Sequence, residues 1–484
     1  MSKPNNSHPA WAIMHRKAGT ELRYINGKYY LYSVSSRYDP VTKKTKKVSG
    51  KILGRITESD GFVESGKRKL DIKASKGFDP ATICVKEQGF SSFIAQQAKV
   101  VTKALQLCFP DDWHSIQSIA YCRLLHHSPI KNMPFHLSKG MIGNDTTSML
   151  TDKKISLLLR QIGSTRSAVT AYMQSFINKG DYVLADMTSI FNASNQISLS
   201  KEGYNSDMIF DKQFNLLYLY SPSLSLPVFY RLYAGNVREV KGFRLILQES
   251  GIQQAVIIAD KGFYSKQNIE YLDNQELQYI IPLKRDNAFI DYSKAVKTGN
   301  NYIKHEGRFI WHMKYEMGGK LIFLFKDEKL MLQEEKDYLN RIETHPEEYS
   351  IQKYHQIAHR FGTIALFTNL KEKEAADIYS TYKSRNEVEV MFDGMKNILD
   401  ADKTYMQNED ALQGWMFINH IALQWYYMLY TSLKSNNLLK KHSVSDLILH
   451  LKEIRSVKIN QQWVLEPITA ATETLLQKLK ISVT

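Results

Sequence analysis

DYVLADMTSI (181–190), FNLLYLYS (214–221), LPVFYRLYAG (226–235), AVIIAD (255–260) and LQYIIPL (277–283) set the architecture of this chain. Each is short, rich in β-branched and aromatic residues, and bounded by polar or turn-forming residues, the pattern of strands. Between the third and fourth, Asn236 and Glu239 are spaced as an Asn-x-x-Glu capping box that opens a helix to about residue 250. Between the fourth and fifth, Gly262 permits a tight turn and Ser265 can cap a helix running through Leu272. The order is three strands, helix, strand, helix, strand.

Three early strands with hairpin-type links, followed by strand–helix alternation, make an α/β core of ribonuclease-H-like (retroviral-integrase-like) type. In that arrangement the first and fourth strands are neighbours. Asp186 lies near the end of the first strand, after YVLA, and Asp260 ends the fourth, after AVIIA. An Asp closing a buried strand is costly unless it is paired or bound to metal. One such residue is unremarkable and structural; two on neighbouring strands form the start of a metal site. Asp181 is the alternative to Asp186, but it begins its strand rather than ending it. Two-metal phosphodiester chemistry uses carboxylates that bridge ions about 3.5–4 Å apart, and magnesium, which keeps several waters, needs only two or three of them.

Downstream, YIKHEGRFIWHMKY (302–315) and KLIFLFKDE (320–328) read as strands leading into a charged helical stretch, 328–342, an insertion of β-rich character. At period two, Phe309, Trp311 and Tyr315 face one side. They are either a small core for the insertion or an aromatic platform; Trp311, between Arg308 and Lys314, is the candidate base-stacking residue. TIALFTN (363–369) is a further strand. A long helix is expected from about Lys371 to Leu399, carrying Tyr382, Arg385, Glu389 and Lys396. At about 100° per residue these four fall within roughly 60° on the helix surface, along a strip some 21 Å long. Such a stripe is by default a solvated face; here it can also set a carboxylate at metals and cations on flanking phosphates.

Residues 22–58 alternate as a β-hairpin turning at Asp39-Pro40. Lys43, Lys44, Lys46 and Lys47 crowd its tip, with Arg37, Lys51 and Arg55 beside them, as a solvated loop or a phosphate-contacting surface. From Ser91 to Lys179 the period becomes helical (91–107, 112–126, 151–162, 165–178), an expected DNA-binding region without a clear helix-turn-helix. Further helices are expected at 408–435, 443–455 and 466–480. The domains so read are an N-terminal basic hairpin region (1–90), the helical region (91–179), the first part of the core (180–284), the β-rich insertion (285–360), the second part of the core (361–436) and C-terminal helices (437–484).

Composition narrows the partners. The 484 residues carry a formal net charge of +15, which favours nucleic acid first and anionic membrane second. The longest apolar run, Met416 to Tyr430, is broken by Asn419, His420 and Gln424 and is too short to span a bilayer. The N-terminal segment has no apolar core and reads as no signal peptide. Cys84, Cys108 and Cys122 are too scattered for a disulfide framework. Cys122, His126 and His127 lack the further ligands a zinc site requires. A cytoplasmic protein without membrane attachment is expected.

Tyr382-x-x-Arg385-x-x-x-Glu389-x-x-x-x-x-x-Lys396 resembles the Y-R-E-K motif of DDE transposases from bacterial insertion sequences, the group with a β-rich insertion in the catalytic core. Asp186-Met-Thr188 and Ile258-Ala-Asp260-Lys-Gly262-Phe-Tyr-Ser265 resemble that family's first and second Asp motifs. Ala234-Gly-Asn236-Val-Arg-Glu239 and the run from Phe361 to Asn369 are similar to it as well. The likeness covers about residues 180 to 430. It implies a DNA transposase in which Asp186, Asp260 and Glu389 hold two Mg²⁺ or Mn²⁺ ions, while Tyr382, Arg385 and Lys396 bind phosphates. It further implies terminal inverted repeats and target DNA as partners, a homodimer on DNA, and a bacterial, nucleoid-associated setting. A nuclease of the same fold without strand transfer, and a non-catalytic DNA-binding derivative, are the alternatives; the second is disfavoured because all three carboxylates are present.

Overall fold

Strand alternation in the first eighty residues builds a small antiparallel sheet: β1 (Thr20–Ile25), β2 (Lys28–Asp39), β3 (Lys44–Thr57) and β4 (Gly61–Glu64), in the order β1-β2-β3-β4. The computed structural model describes residues 8–39, 43–65, 83–142, 150–192, 194–203, 211–295, 297, 299–399, 401, 403–459 and 462–483. The turn expected at Asp39-Pro40 therefore lies partly outside the described residues. One face of this sheet collects Leu22, Leu31 and Ile56, which bury against Ala12 of the short helix Ala10–Ile13, with Trp11, Tyr29 and Leu53 at the margin. The chain divides into two compact units, Met1–Ala81 and Thr82–Thr484. The boundary expected at residue 90 thus moves to 81/82, because β5 (Cys84–Glu87) pairs with β16 (Arg455–Ile459), which also pairs with β17 (Gln462–Leu465). Those two C-terminal strands lie between the helices expected at 443–455 and 466–480, in a stretch to which the sequence pattern assigns no element.

The second unit is built on one ten-stranded mixed sheet. Its first strands are β6 (Tyr182–Phe191), β7 (Lys201–Glu202), β8 (Lys212–Ser221) and β9 (Leu226–Ala234). Nine of the ten residues of β8 are buried, which is why its sequence is a continuous apolar run and not an alternating one. β10 (Val256–Ala259) lies parallel to β6 and to β11 (Gln278–Pro282), with helices Glu239–Ser250 and Lys266–Asn274 making the crossovers. The helix before β10 starts at Glu239 with Arg238 at its N-cap, two residues beyond the Asn236 at which the sequence places the cap.

The insertion is not a separate body. β12 (Tyr302–His305), β13 (Arg308–Met317) and β14 (Lys320–Asp327) extend the same sheet, because β14 pairs antiparallel with β15 (Thr363–Thr368), itself paired with β11. Apolar residues Ile322, Phe323, Leu324 and Phe325 on β14 are all buried and carry the core outward through these strands. The helices Glu328–Thr344 and Ile351–Ile357 complete the segment.

The helix Glu409–Ser435 is buried on nearly all sides, as a helix apolar all round must be. It packs on β9 and on the helices Trp113–His126 and Asp152–Ser164. Residues 91–179 therefore share the core of the second unit rather than forming a domain apart. The approach is close: a Cβ on Gly163 would lie 1.8 Å from the Asp410 carbonyl oxygen, and one on Gly414 2.0 Å from that of Leu159. The polar residues that interrupt this helix find partners within the core, except that His420 Nε2 is buried without one among the described residues. Tyr218 and His420 Nδ1 lie 3.2 Å apart, Tyr172 donates to Gln424 at 2.6 Å, and Gln424 donates to the Pro227 carbonyl at 3.0 Å. No helix among the described residues is long and apolar enough to cross a membrane.

Candidate active site

Strand register places the first two carboxylates. Ala185 on β6 is the parallel partner of Ala259 on β10, so Asp186 and Asp260 are the next residues on neighbouring strands, at one level of the sheet. β6 continues to Phe191, with Asp186 opposite Tyr218 of β8; Asp186 is therefore mid-strand and not near its end. It stands where β10 stops, and the loss of that neighbour opens its side chain to one edge. Asp260 turns into the short 3-10 segment Lys261–Phe263. Asn268 pins this turn by donating to the carbonyls of Phe263 at 2.8 Å and Val240 at 3.1 Å. Sequence reasoning missed Asn268, although its place three residues after the capping Ser265 was a signal. Asp181 sits at the other end of β6, buried, accepting from Ser221 and Ser223; it anchors the β8–β9 turn and has no place among the carboxylates.

The expected helix 371–399 is broken into Ala375–Lys383, Asn386–Asp393 and a π turn, Gly394–Ile398. At the break the ladder tightens to i→i+3 bonds, Arg385 N to Tyr382 O at 3.1 Å and Val388 N to Arg385 O at 2.9 Å. The Ser384 hydroxyl donates to Thr381 O at 2.6 Å, the kind of side-chain competition that bends helices. Arg385 and Glu389 remain one turn apart on the same side: Nη2 donates to Glu389 Oε1 at 2.7 Å, and Nη1 to Asp186 Oδ2 at 3.2 Å. The guanidinium therefore stands between the two carboxylates. Among the described residues no three His, Cys, Asp or Glu side chains are close enough together to ligate one ion; Asp186 and Asp260 adjoin, and Glu389 faces them across Arg385.

Electrostatics agree with this geometry. Burial tends to lower Arg385, but Asp186, Asp260, Tyr382 and Glu389 outweigh it and hold the guanidinium above its ordinary range. Burial, helped by Asp260 and Glu389, pushes the Tyr382 phenol up, so it stays a hydrogen-bond donor. Burial and then Arg308 lower Lys383, a cation beside the site that the sequence reading did not single out. Lys396 is half-buried on the π turn and makes no ion pair with the three carboxylates among the described residues.

The remaining candidates lie elsewhere. Trp311 is half-buried on β13, edge-on to Tyr302 at 5.7 Å, and Tyr302 is edge-on to Phe309 at 5.5 Å. Phe309 is 56% and Tyr302 44% exposed, so this cluster is open to solvent rather than a closed core. The packed face of β13 carries Ile310, and its neighbour Phe325 meets Tyr379 of the helix Ala375–Lys383 at 4.8 Å. Tyr315 is tied down, donating to Phe289 O and accepting from Asp291 N. The structure does not bring Trp311 against the carboxylates. In the N-terminal unit Lys43, Lys44, Lys46 and Lys47 are exposed, but Lys47 is ion-paired to Glu21 at 2.7 Å.

A solved chain similar to this one is described as "Cryo-EM structure of piggyBac transposase synaptic complex with hairpin DNA", at 12% identity over 70% of this chain and 69% of that one, with a TM-score of 0.39. No curated protein matches. Residues 178–425, more than half of the 484, match the model of a family described as "Transposase DDE domain". By that match the chain belongs to the DDE transposase domain family.

Proposed function

We propose that this protein is a DNA transposase with a ribonuclease-H-like core, in which Asp186, Asp260 and Glu389 hold two Mg²⁺ or Mn²⁺ ions. The observation that supports the reading is the register Ala185↔Ala259, which makes Asp186 and Asp260 neighbours across two strands, with Arg385 bridging Asp186 and Glu389. The donor set fits: all-oxygen, anionic, and partly open through Glu389, whose side chain is 56% exposed. Bound there, such ions supply Lewis acidity toward the phosphodiester and lower the pKa of an attacking water or 3′-hydroxyl.

The protein's own residues do the rest. Arg385, kept charged by its neighbours, offers a planar fork to a phosphate, and the protonated Tyr382 phenol donates beside it. Lys396 adds a point charge, and the exposed N-terminal lysines contact the DNA backbone. The partners are the element's terminal inverted repeats and target DNA, with two chains cutting two ends together.

The test uses duplexes carrying the inverted repeats that bracket the gene, supplied pre-cut with Mg²⁺ or Mn²⁺. The wild type joins the 3′ ends to a target, while Asp186→Asn, Asp260→Asn and Glu389→Gln bind the duplex without joining it. Cleavage without joining by the wild type indicates a nuclease and sinks the transposase reading.

A further inference from the structure

The N-terminal unit carries more strand than its own core can stabilise. β1 pairs with β2 only from Lys28 to Ser33, and β4 pairs with β3 only from Gly54 to Thr57. Beyond them β2 and β3 continue alone as a two-stranded ribbon, paired from Val34↔Ser49 to Asp39↔Lys44. Six residues per arm give it a length of about 20 Å. Ser35 to Tyr38 and Lys44 to Ser49 are all exposed, so neither face has a core to pack on, and a bare ribbon of this kind is marginal in water. Between residues 34 and 51 there are six basic residues and one acidic one. Arg37 stands directly opposite Lys46 in the strand register. An exposed, unpacked ribbon with this excess of basic residues suits a polyanion.

The two faces differ. By alternation, Ser35, Arg37, Lys44, Lys46 and Val48 share one face, and Ser36, Tyr38, Thr45, Lys47 and Ser49 the other. The second face is engaged at its base, where Lys47 pairs with Glu21 at 2.7 Å and Ser49 accepts from Arg23. The first presents the Arg37–Lys46 pair outward.

We propose that the arms Val34–Tyr38 and Lys44–Ser49 enter the major groove of duplex DNA with the Arg37–Lys46 face toward the base edges, so that this unit reads sequence as well as binding phosphate. The major groove, roughly 12 Å wide, admits a two-stranded ribbon, and arginine to guanine O6 and N7 is the commonest specific contact there. This rests on the DNA-acting reading above and adds to it a groove, a face and a reading residue.

The experiment uses the full chain and a pool of duplexes with a randomised centre, selected by retention in the complex. Selected duplexes are then probed by methylation interference, which reports guanine N7 in the major groove and adenine N3 in the minor groove. We expect a selected motif containing guanine, interference at its N7, and a roughly 5- to 150-fold loss of preference for selected over unselected duplex in Arg37→Ala. Arg37→Lys keeps the charge and the affinity for unselected duplex but loses the preference, which separates base reading from charge or misfolding. Interference confined to adenine N3, or equal weakening on selected and unselected duplex, overturns the ribbon inference and leaves the transposase reading intact. A wild-type chain that retains no duplex overturns both.

Discussion

Replacing Arg385 by glutamine isolates the electrostatic logic of the site. The guanidinium is 16% exposed and bonds Asp186, 15% exposed, at 3.2 Å and Glu389, 56% exposed, at 2.7 Å. The Glu389 arm is solvent-screened and contributes no more than about 1 kcal/mol. The Asp186 arm is mostly shielded from solvent, so its loss approaches the low end of the about 3–5 kcal/mol that removing one partner of a buried ion pair costs. Asp260 on the adjacent strand adds like-charge repulsion once the cation is gone. Arg385→Gln is therefore expected to lose about 3 kcal/mol at neutral pH without divalent ions. A divalent cation supplies the missing positive charge, so millimolar Mg²⁺ stabilises the variant more than the wild type. Urea unfolding followed by circular dichroism, at low salt and with or without Mg²⁺, measures both effects. A variant within about 0.5 kcal/mol of wild type without metal, or one whose midpoint Mg²⁺ does not move, refutes the reasoning.

Replacing Lys43, Lys44, Lys46 and Lys47 by alanine flattens the log–log salt dependence of DNA binding, by roughly 0.9 for each lysine that contacts a phosphate. An unchanged slope shows that the hairpin does not touch the backbone. Trp311→Ala, which removes a half-exposed ring, spares first-strand nicking and impairs later steps by the roughly 1–3 kcal/mol of one stacked base; a uniform loss together with a lowered melting temperature assigns the ring to packing instead. His420, held neutral mainly by burial and then by Arg166, has its pKa lowered to about 3. The unfolded chain takes up that proton near 6.5 and the folded chain only near 3. Stability is thus intact above about pH 6.5 and falls with acidification toward pH 3, by up to about 1.4 kcal/mol per unit. His126, lowered to about 3 by burial and His136, acts in the same window, so His420→Gln reduces the pH slope of unfolding without abolishing it; an unchanged slope contradicts this.

What the sequence made legible follows from its periodicities. β6, β8, β9, β10 and β11 were readable because each is a bounded apolar run, and the fully buried β8 could hardly be anything but a central strand. Asp186 and Asp260 were readable because each follows such a run. The helix break at Ser384 was hidden, since neither proline nor glycine marks it and the cause is one hydroxyl turning back on Thr381. Arg385 as a bridge between carboxylates was hidden too: its spacing to Glu389 was visible, its reach to a strand 199 residues earlier was not. The insertion's strands were found, but their joining to β15 depends on non-local pairing that alternation does not encode. β5 and β16 are four and five residues long and far apart in sequence, so local pattern could not match them. Asn419, His420 and Gln424 looked like breaks in an apolar run because their partners lie on other elements.

The central claim, that Asp186, Asp260 and Glu389 share divalent ions, is tested most directly by Mn²⁺ titration followed by electron paramagnetic resonance, with the full chain bound to a duplex carrying the element's end. The account predicts two bound Mn²⁺ per chain in the wild type, and loss of tight binding in Asp186→Asn and in Asp260→Asn while the duplex stays bound. Undiminished Mn²⁺ binding in both variants would contradict it.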